Sequence, residues 1–370
     1  MDDLPILHAL SAFRPRVSAT RLRALLRFAG TPNAAWNARD ALLDASGFTP
    51  EAREAFAIHR RTWDADGEAR RLGESGIAVI PNSAFPELLQ HTYDPPLVLF
   101  VRGELPQEGV AVAIVGSRKA SPYGRSVTHA LVRPLAARGL AIVSGLAYGI
   151  DAEAHRGTLA VSGRTIAVLG SGVDDASLYP RAHRSLAAEI VARGGAVVSE
   201  FPPGTGARPE HFPQRNRLIA GMSHAVVVIE ASETSGALIT ARLALEENRE
   251  VLAVPGPITS PLSAGTHRLL KEGAALASSA EDVLEALALR DVLTLPQAGA
   301  ETAAAGLAHP GGAPTQAADH ILRSLTMEPK AIDAVIAAST LPPHEASAAL
   351  SLLELHGLAR DVGGKMYVRV

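Results

Sequence analysis

Six short apolar runs, each a candidate buried strand, recur along the middle of this 370-residue chain. They are nearly continuous in valine, isoleucine, leucine and alanine, which is typical of strands covered on both faces. Segments of helical length separate most of them, and alternating strands and helices indicate a parallel sheet. The sequence therefore predicts an α/β core with strands at residues 110–115, 140–143, 165–169, 196–198, 225–229 and 251–254.

A small or polar motif follows every one of these strands. In a doubly wound parallel sheet the carboxyl ends of the strands meet at one edge, and ligands bind there. Six such motifs in register therefore predict a ligand-bearing edge. They are Gly116-Ser117-Arg118, Ser144-Gly145, Gly170-Ser171-Gly172, Ser199-Glu200, Glu230-Ala231-Ser232 and Pro255-Gly256.

The first of these motifs favours phosphate. A glycine directly after a strand lets backbone N–H groups approach an anion, while Ser117 adds a hydroxyl donor and Arg118 a charged fork. Residues 116–218 contain 13 Lys and Arg against 7 Asp and Glu, a net charge of +6, whereas the whole chain has a net charge of −3. The alternative is a tight strand–helix turn with a solvated arginine. We favour phosphate because Ser144 and Gly145 are predicted alongside.

A second motif points to single-stranded nucleic acid. Phe212 stands three residues before Arg215-Asn216-Arg217. A base can stack on the ring while the guanidinium groups follow the backbone, in a way that depends little on base sequence. The competing interpretation puts Phe212 in the core and the arginines in structural ion pairs. Arg156 is a further candidate phosphate contact, and we interpret Asp151 as a helix-cap or loop-ordering residue.

Several function classes lack their signature. The chain has no cysteine, which excludes disulfides, thiolate metal sites and a cysteine nucleophile. Neither a P-loop, nor a complete dinucleotide fingerprint, nor a G-x-S-x-G elbow is present. The histidines show no zinc-site spacing. We expect no cofactor and no metal. No apolar run reaches membrane-spanning length and the N-terminus does not resemble a signal peptide, so we expect a cytoplasmic protein without membrane contact.

The flanks of the core differ from it in pattern. Residues 1–65 predict three short helices, which fit a small nucleic-acid-binding module and equally fit a plain helical cap or a partner-docking piece. Residues 291–314 are rich in Ala, Gly and Pro and predict a flexible linker. Residues 315–370 predict three helices and a hairpin with Gly363-Gly364 as its turn, a winged-helix outline. Its candidate recognition helix, residues 343–357, contains no Lys or Arg. This favours protein contact over duplex binding.

Seven motifs together resemble one family, that of DNA-processing protein A (DprA/Smf). They cover residues 110–277 in consistent order: VGSRKASPYG, SGLAYGIDAEAHRGTL, GSGVDDASLYP, SEFPPGT, FPQRNRLIAG, EASETSGALITARLAL and VPGPITSPLSAGTHRLLKEGA. Three positions depart from the family's usual residues. His183 and His267 stand where asparagine is usual, and Arg156 replaces the commoner lysine.

The resemblance implies an α/β fold with an extended Rossmann-like parallel sheet core over residues 66–290. A small N-terminal all-α domain (SAM/helix-hairpin-helix-like, residues 1–65) precedes it, and a winged-helix-like domain (residues 315–370) follows. It also implies a cytoplasmic homodimer that binds and protects single-stranded DNA and loads the RecA recombinase during natural transformation. Residues 262–277 would form the dimer surface. The implied DNA-binding residues are Gly116, Ser117, Arg118, Ser144, Gly145, Arg156, Gly170, Phe212, Arg215, Asn216, Arg217, Ser235 and Gly236.

Two rival functions remain at this point. The same fold resembles the cytokinin-type nucleotide phosphoribohydrolases, which carry a P-G-G-x-G-T loop followed by a catalytic glutamate. The equivalent segment here, ASETSGALITARLALEEN, keeps Gly236 and Thr240 but lacks the double glycine. We therefore expect no enzyme. The other rival is a regulator that reads duplex DNA through the winged helix, which the charge of residues 343–357 disfavours.

Overall fold

The structure is a computed structural model that describes residues 3–13 and 17–287, together with residues 321, 325, 330–339, 345–346, 349–350, 353, 359–361 and 366–369. The chain forms two compact units, Met1–Thr294 and Leu295–Val370. The predicted linker at residues 291–314, the Gly363-Gly364 turn and most of the candidate recognition helix lie outside the described residues.

Nine strands of the first unit form one sheet, in the order β1-β2-β6-β5-β4-β3-β7-β8-β9. Strands β3 to β9 pair in parallel, β2 pairs antiparallel with β6, and β1 pairs antiparallel with β2. All six predicted strands are present, as β3 to β8. The strands are β1 Ala78–Pro81, β2 Val98–Gly103, β3 Ala111–Val115, β4 Ala141–Ser144, β5 Thr165–Val168, β6 Ala196–Ser199, β7 Ala225–Val228, β8 Glu250–Ala253 and β9 Ala275–Leu276.

Helices cover both faces of this sheet, as the continuous apolar strands require. One face packs against α11, α12 and α13, and the other against α8, α9 and α14. The helices are α1 Leu4–Ala12, α2 Ala19–Ala29, α3 Pro32–Trp36, α4 Asp40–Ala45, α5 Pro50–Thr62, α6 Ala65–Glu74, α7 Glu87–Gln90, α8 Pro122–Ala137, α9 Ile150–Leu159, α10 Arg184–Ala192, α11 His211–Gly221, α12 Gly236–Glu246, α13 Ala264–Lys271 and α14 Ala280–Ala286.

The N-terminal helices have a core of their own and also contact the sheet. Leu22, Leu25 and Phe56 are fully buried in that core. The ring of His8 in α1 lies 5.5 Å from the ring of Phe100 in β2. The second of the three helices predicted for residues 1–65, expected around residues 34–43, is divided between α3 and α4.

Two local predictions in the sheet unit were wrong. The sequence of residues 93–103 predicts an edge strand after a proline break, but β1 pairs with the outer side of β2. The proline break before it is real, since β2 begins only at Val98. Pro134 predicts a kinked or short helix over residues 126–138, but α8 is not short and runs for 16 residues to Ala137. Because Pro134 lies in the last turn, it forfeits a single hydrogen bond near the end of the helix.

The described part of the second unit contains α15 (Ile332–Ser339) and a three-stranded antiparallel sheet. Its strands are β10 (Lys330–Ala331), β11 (Ala359–Asp361) and β12 (Met366–Arg369), and β12 pairs with both of the others. Val335, Leu350 and Leu353 are buried in a core of this unit. A helix packed beside a small antiparallel sheet agrees with the predicted winged-helix outline.

Candidate nucleic-acid interface

The strand order reverses between β3 and β7. Along the chain, successive strands build outward from β3 in one direction as β4, β5 and β6, and in the other as β7, β8 and β9. At such a switch point the loops after the two central strands separate and leave a crevice at the carboxyl edge. A cleft of about 440 Å³ lies there, and it is bordered by the loops that follow β3 and β7.

The cleft brings together eight of the thirteen predicted residues from three separate segments. It also contains residues that the sequence reasoning did not select, although Lys119, Ser232 and Thr240 stand inside the quoted motifs. The predicted residues at the cleft are Gly116, Ser117, Arg118, Phe212, Arg215, Asn216, Ser235 and Gly236.

Glycine is required at position 116 because the loop after β3 passes close to its neighbours. A Cβ there would lie 2.7 Å from Cγ1 of Ile150 and 3.1 Å from the carbonyl oxygen of Glu230. The backbone of this loop is also bonded from the other side, since the N–H of Ile150 donates to the carbonyl of Ser117 at 3.1 Å. The loop that carries Arg118 is therefore held against the start of α9.

Exposed Arg118 and partly exposed Phe212 lie against each other at the cleft. The guanidinium carbon of Arg118 lies 4.9 Å from the centroid of the Phe212 ring, a cation–π arrangement. Arg118 and the adjacent Lys119 are both exposed. Neither forms an ion pair with any residue in the described part of the chain, so their charges are available to an external anion.

Arg215 also reaches the cleft, but its hydrogen bonds are directed inward. One terminal nitrogen donates to the carbonyls of Gly145 and Val168, each at 2.6 Å, and Nε donates to Oδ1 of Asn216 at 3.1 Å. Burial lowers the pKa of this guanidinium to about 10, which still leaves it charged at neutral pH. Arg215 therefore connects α11, at the base of the cleft, to the end of β5 through hydrogen bonds. Its buried charge also adds positive potential to the cleft.

Asp151 orders the loop after β4, as the sequence analysis predicts. Its Oδ2 accepts from the backbone N–H groups of Gly145 at 3.1 Å and Ala147 at 3.3 Å. Leu146 between them has a φ of 55°, in the left-handed region that a leucine rarely adopts. Nδ1 of His183 donates to the Leu146 carbonyl at 2.8 Å. The pKa of Asp151 is raised above its ordinary value because the effect of burial is larger than the opposing effects of Arg215 and of the hydrogen bonds from Gly145 and Ala147.

A carboxylate of the protein itself occupies the N-terminus of α8. The buried side chain of Glu230 accepts hydrogen bonds from the backbone N–H and the hydroxyl of Ser121, the N-cap residue. A Cβ at Gly124 would lie 2.2 Å from Oε2 of Glu230, so glycine makes room for it. Because the N-terminus of α8 is already occupied, the groups left to bind a ligand anion at the cleft are the side chains of Arg118 and Lys119 and the N-terminus of α12.

The N-terminus of α12 opens on the cleft. Ser235 is its N-cap, and the Ser235 hydroxyl accepts from the N–H of Ala237 at 3.3 Å. A Cβ at Gly236 would meet no atom within 4 Å, so this side of the helix terminus is open. The positive end of the helix dipole therefore adds to the charges of Arg118 and Lys119.

Three predicted side chains are not brought to the cleft. Arg156 is half-exposed on α9 and pairs with Glu153, at 2.6 Å. Arg217 points to the opposite side of α11, where it pairs with the buried carboxylate of Glu200 and also contacts Asp94. The Ser144 hydroxyl is buried and donates to the Ile114 carbonyl at 2.7 Å. The competing interpretation of structural ion pairs therefore describes Arg217.

The two remaining predicted residues, Gly145 and Gly170, line a small notch beside the cleft. The notch shares Arg118, Ala147 and Phe212 with the main cleft and is otherwise bordered by Tyr148, Tyr179 and Pro180. A Cβ at Gly170 would lie 3.4 Å from Cδ1 of Phe212, so glycine lets the ring lie close to the backbone there. The two tyrosines stand in the quoted motifs SGLAYGID and GSGVDDASLYP, but sequence reasoning gave them no role.

The chain resembles known proteins over most of its length. The family model for the DNA recombination-mediator protein A matches residues 76–288, and the model for the DprA winged helix domain matches residues 302–365. The chain belongs to the DprA/Smf family. This confirms the family inferred from the seven motifs, and with the sheet it confirms the extended Rossmann-like fold with a winged-helix domain.

Among DprA/Smf relatives, protein Smf of Escherichia coli is 48% identical over 204 residues, 55% of this chain and 54% of that protein. The match thus spans about half of that relative's length. The DNA processing protein DprA of Bacillus subtilis is 42% identical over 59% of this chain and 74% of its own.

Two solved DprA structures are similar to this one. DNA processing protein A of Streptococcus pneumoniae has a TM-score of 0.63 and 34% identity, over 75% of this chain and 95% of that chain. The protein from Helicobacter pylori has a TM-score of 0.51 and 27% identity, over 57% of this chain and 95% of that chain. The latter is described for a unique single-stranded DNA binding mode.

The described residues contain neither a candidate metal site nor a candidate membrane-spanning helix. No group of three or more His, Asp or Glu side chains in that part of the chain is placed to hold a metal ion. None of the helices in the same ranges is long and apolar enough to cross a membrane.

Proposed function

We propose that this protein binds single-stranded DNA in the cleft between β3 and β7 and acts as a recombination mediator. The observation that carries the proposal is the pairing of exposed Arg118 with Phe212 at the switch point of the sheet. A phosphate can contact Arg118 and Lys119 while an unpaired base stacks against Phe212, the combination by which many proteins hold single strands. The binding mode described for the Helicobacter pylori relative supports the same ligand.

The chemistry of the cleft favours a strand over a mononucleotide cofactor. A dinucleotide fold places its pyrophosphate at the helix N-terminus after the first strand. Here that position, at the start of α8, is taken by Glu230. A stacking ring also favours a single strand over a duplex, because the bases of a duplex already stack on one another. Of the thirteen predicted residues, we propose direct contact for Gly116, Ser117, Arg118, Phe212, Ser235 and Gly236, and an indirect role for Arg215.

The wider biological role follows from the family and remains a proposal. We infer that the protein works in the bacterial cytoplasm, protects incoming single strands and loads the RecA recombinase during natural transformation. The description of the family as recombination mediators supports this. The direct test is the RecA ATPase on single strands covered by a single-strand binding protein. Added protein should shorten the lag before ATP hydrolysis, and an unchanged lag would argue against loading.

A homodimer would use the free edge of the sheet. Within the described first unit, β9 is the last strand on that side, and both of its residues are exposed. Leu276 is half-exposed, and Leu245 of α12, which is 59% exposed, borders the same surface cleft as Ala275 of β9. An unpaired edge with apolar side chains favours association with another copy. Leu276→Glu should shift the molecular mass in solution toward the monomer, as measured by light scattering.

The domain division is also a proposal. We retain a helical domain at residues 1–65, the DNA-binding domain at residues 66–290, a linker at residues 291–314 and a winged-helix domain at residues 315–370. The separate core of the first helices, which includes Phe56, supports the first boundary.

A paired assay separates binding from the rival enzyme function. Wild-type protein is titrated against a fluorescent oligothymidylate at low salt and, in parallel, incubated with nucleoside monophosphates to detect released base. The rival reaction has one observation in its favour, the raised pKa of Asp151 at the cleft. Its Oδ2, however, is already engaged by two backbone amides. Binding without base release supports our proposal, and base release without binding would replace it.

A further inference from the structure

The notch beside the cleft exposes two tyrosines that the family motifs contain but that the main cleft does not use. Tyr148 and Tyr179 are each 46% exposed. Single exposed aromatic residues are ordinary on protein surfaces, but two at one notch beside a candidate DNA cleft are not scattered. The Tyr179 ring lies 6.0 Å from the ring of Phe212, so the aromatic surface is continuous with the cleft.

The loop that carries Tyr148 is fixed in place. Gly149, the next residue, has a φ of 77°, and a Cβ there would lie 2.2 Å from the carbonyl oxygen of Ser117. The Tyr148 ring is supported edge-on by buried His183, with the ring centroids 5.0 Å apart. Since His183 also bonds the Leu146 carbonyl, one histidine positions both the strained loop and the ring.

Positive charge lies beside the second tyrosine. Arg181 and Arg184 follow Tyr179 closely in the chain, and both are exposed. Arg184 donates to the Ala176 carbonyl at 3.4 Å, and Arg181 forms no ion pair within the described ranges. The acidic residues of the same loop are already engaged. Asp174 accepts from the N–H groups of Ser177 and Gly204, and Asp175 pairs with Arg102 at 2.6 Å.

We propose that Tyr148 and Tyr179 form a second stacking platform for an unpaired base of the strand bound at Phe212, with Arg181 contacting the adjoining phosphate. The notch itself encloses only about 20 Å³, so the base lies on the exposed rings and not inside the notch. The ligand is thus one nucleotide of the same strand. The inference rests on the proposed function. It extends the DNA-binding surface from the loop after β3 to the loop between β5 and α10, which carries Tyr179.

The test uses the full-length protein and abasic oligothymidylates. The shortest oligothymidylate that retains full affinity is identified first. On a strand of this length, the oligonucleotide cannot slide along the protein to avoid an abasic site without losing other contacts. Each base is then removed in turn. Wild-type protein should show two separate positions at which an abasic site weakens binding about tenfold, the effect expected for one stacked base. Phe212→Ala should lose the sensitivity at one position, and the double variant Tyr148→Ala/Tyr179→Ala at the other.

Conservative and remote variants control for folding. Tyr148→Phe/Tyr179→Phe keeps the rings and should bind as the wild type does. Tyr93→Ala removes a tyrosine that is 97% exposed and borders neither the cleft nor the notch, so it should have no effect. A single sensitive position in wild type, or two positions retained in the tyrosine-to-alanine variant, would overturn the platform and leave the main site standing. Failure of wild type to bind any oligonucleotide at low salt would instead refute the proposed function.

Discussion

Replacing Arg118 by alanine is the most direct test of the cleft. The exposed guanidinium lies 4.9 Å from the Phe212 ring and forms no ion pair within the described residues. Its removal should therefore leave the folded protein nearly as stable as before. A charge-assisted hydrogen bond to a phosphate contributes about 1.5–3 kcal/mol, so the dissociation constant for a short oligothymidylate should rise by roughly 10- to 150-fold.

The salt dependence gives a second, independent number. Each phosphate neutralised on a single strand contributes about 0.7 to the slope of log affinity against log salt concentration. Arg118→Ala should therefore flatten that slope by about 0.7, measured by fluorescence anisotropy between low and moderate salt. Arg118→Lys keeps the charge but loses the planar fork and the stacking face, so its affinity should be intermediate.

Arg138 provides a matched control, because it lies in the same segment between β3 and β4 as Arg118. Arg138 is the C-cap of α8, at the far end of a helix of 16 residues, which is about 24 Å long. It is also an exposed arginine, and its ion pair with Glu281 lies at the surface, so Arg138→Ala should change stability little. Equal losses of affinity in Arg138→Ala and Arg118→Ala would refute a localised contact and indicate a diffuse electrostatic attraction.

Three further predictions concern stability. Arg217→Ala removes the cation from buried Glu200 and should lower the free energy of unfolding by about 3–5 kcal/mol in urea melts, with DNA affinity unchanged; weakened affinity in a folded variant would return Arg217 to the site. Glu230→Ala removes the acceptor of the Ser121 N–H and hydroxyl hydrogen bonds at the start of α8 and should cost about 1–3 kcal/mol in the same assay, whereas an unchanged midpoint would contradict a stabilising role of Glu230. His155→Asn should flatten the fall of stability below pH 6.5. Burial lowers the pKa of His155 to about 3, so only the unfolded state takes up this proton between those values, and native stability falls by up to about 1.4 kcal/mol per pH unit.

The charged side chains explain where sequence reasoning about the site failed. Arg215 and Arg217 stand in one predicted triplet, but on α11 they point to different sides. Arg217 contacts Asp94, which is 123 residues away in the chain, and Arg215 bonds the carbonyl of Val168, 47 residues away. Partners that distant have no signature in the local sequence. Arg156 differs from these two, because its partner Glu153 is only one helical turn away in the same helix.

Local pattern alone determined the secondary structure of the core and the edge at which a ligand would bind. Continuous apolar runs predicted β3 to β8, because a strand that is covered on both faces buries successive side chains and is therefore mostly apolar. Small residues after those strands identified the carboxyl edge, and Phe212 and Arg118 were selected for their chemistry.

Only the tertiary structure decided which of these residues meet. The reversal of strand order between β3 and β7 creates the cleft, and it depends on how the strands pair rather than on any one strand's sequence. The same packing buries Arg215 in the floor, gives the start of α8 to Glu230 and leaves Arg118 exposed over Phe212. The sequence supplies the residue types at the site. Whether a charged side chain faces the ligand or a buried partner depends on contacts between segments that are far apart in the chain.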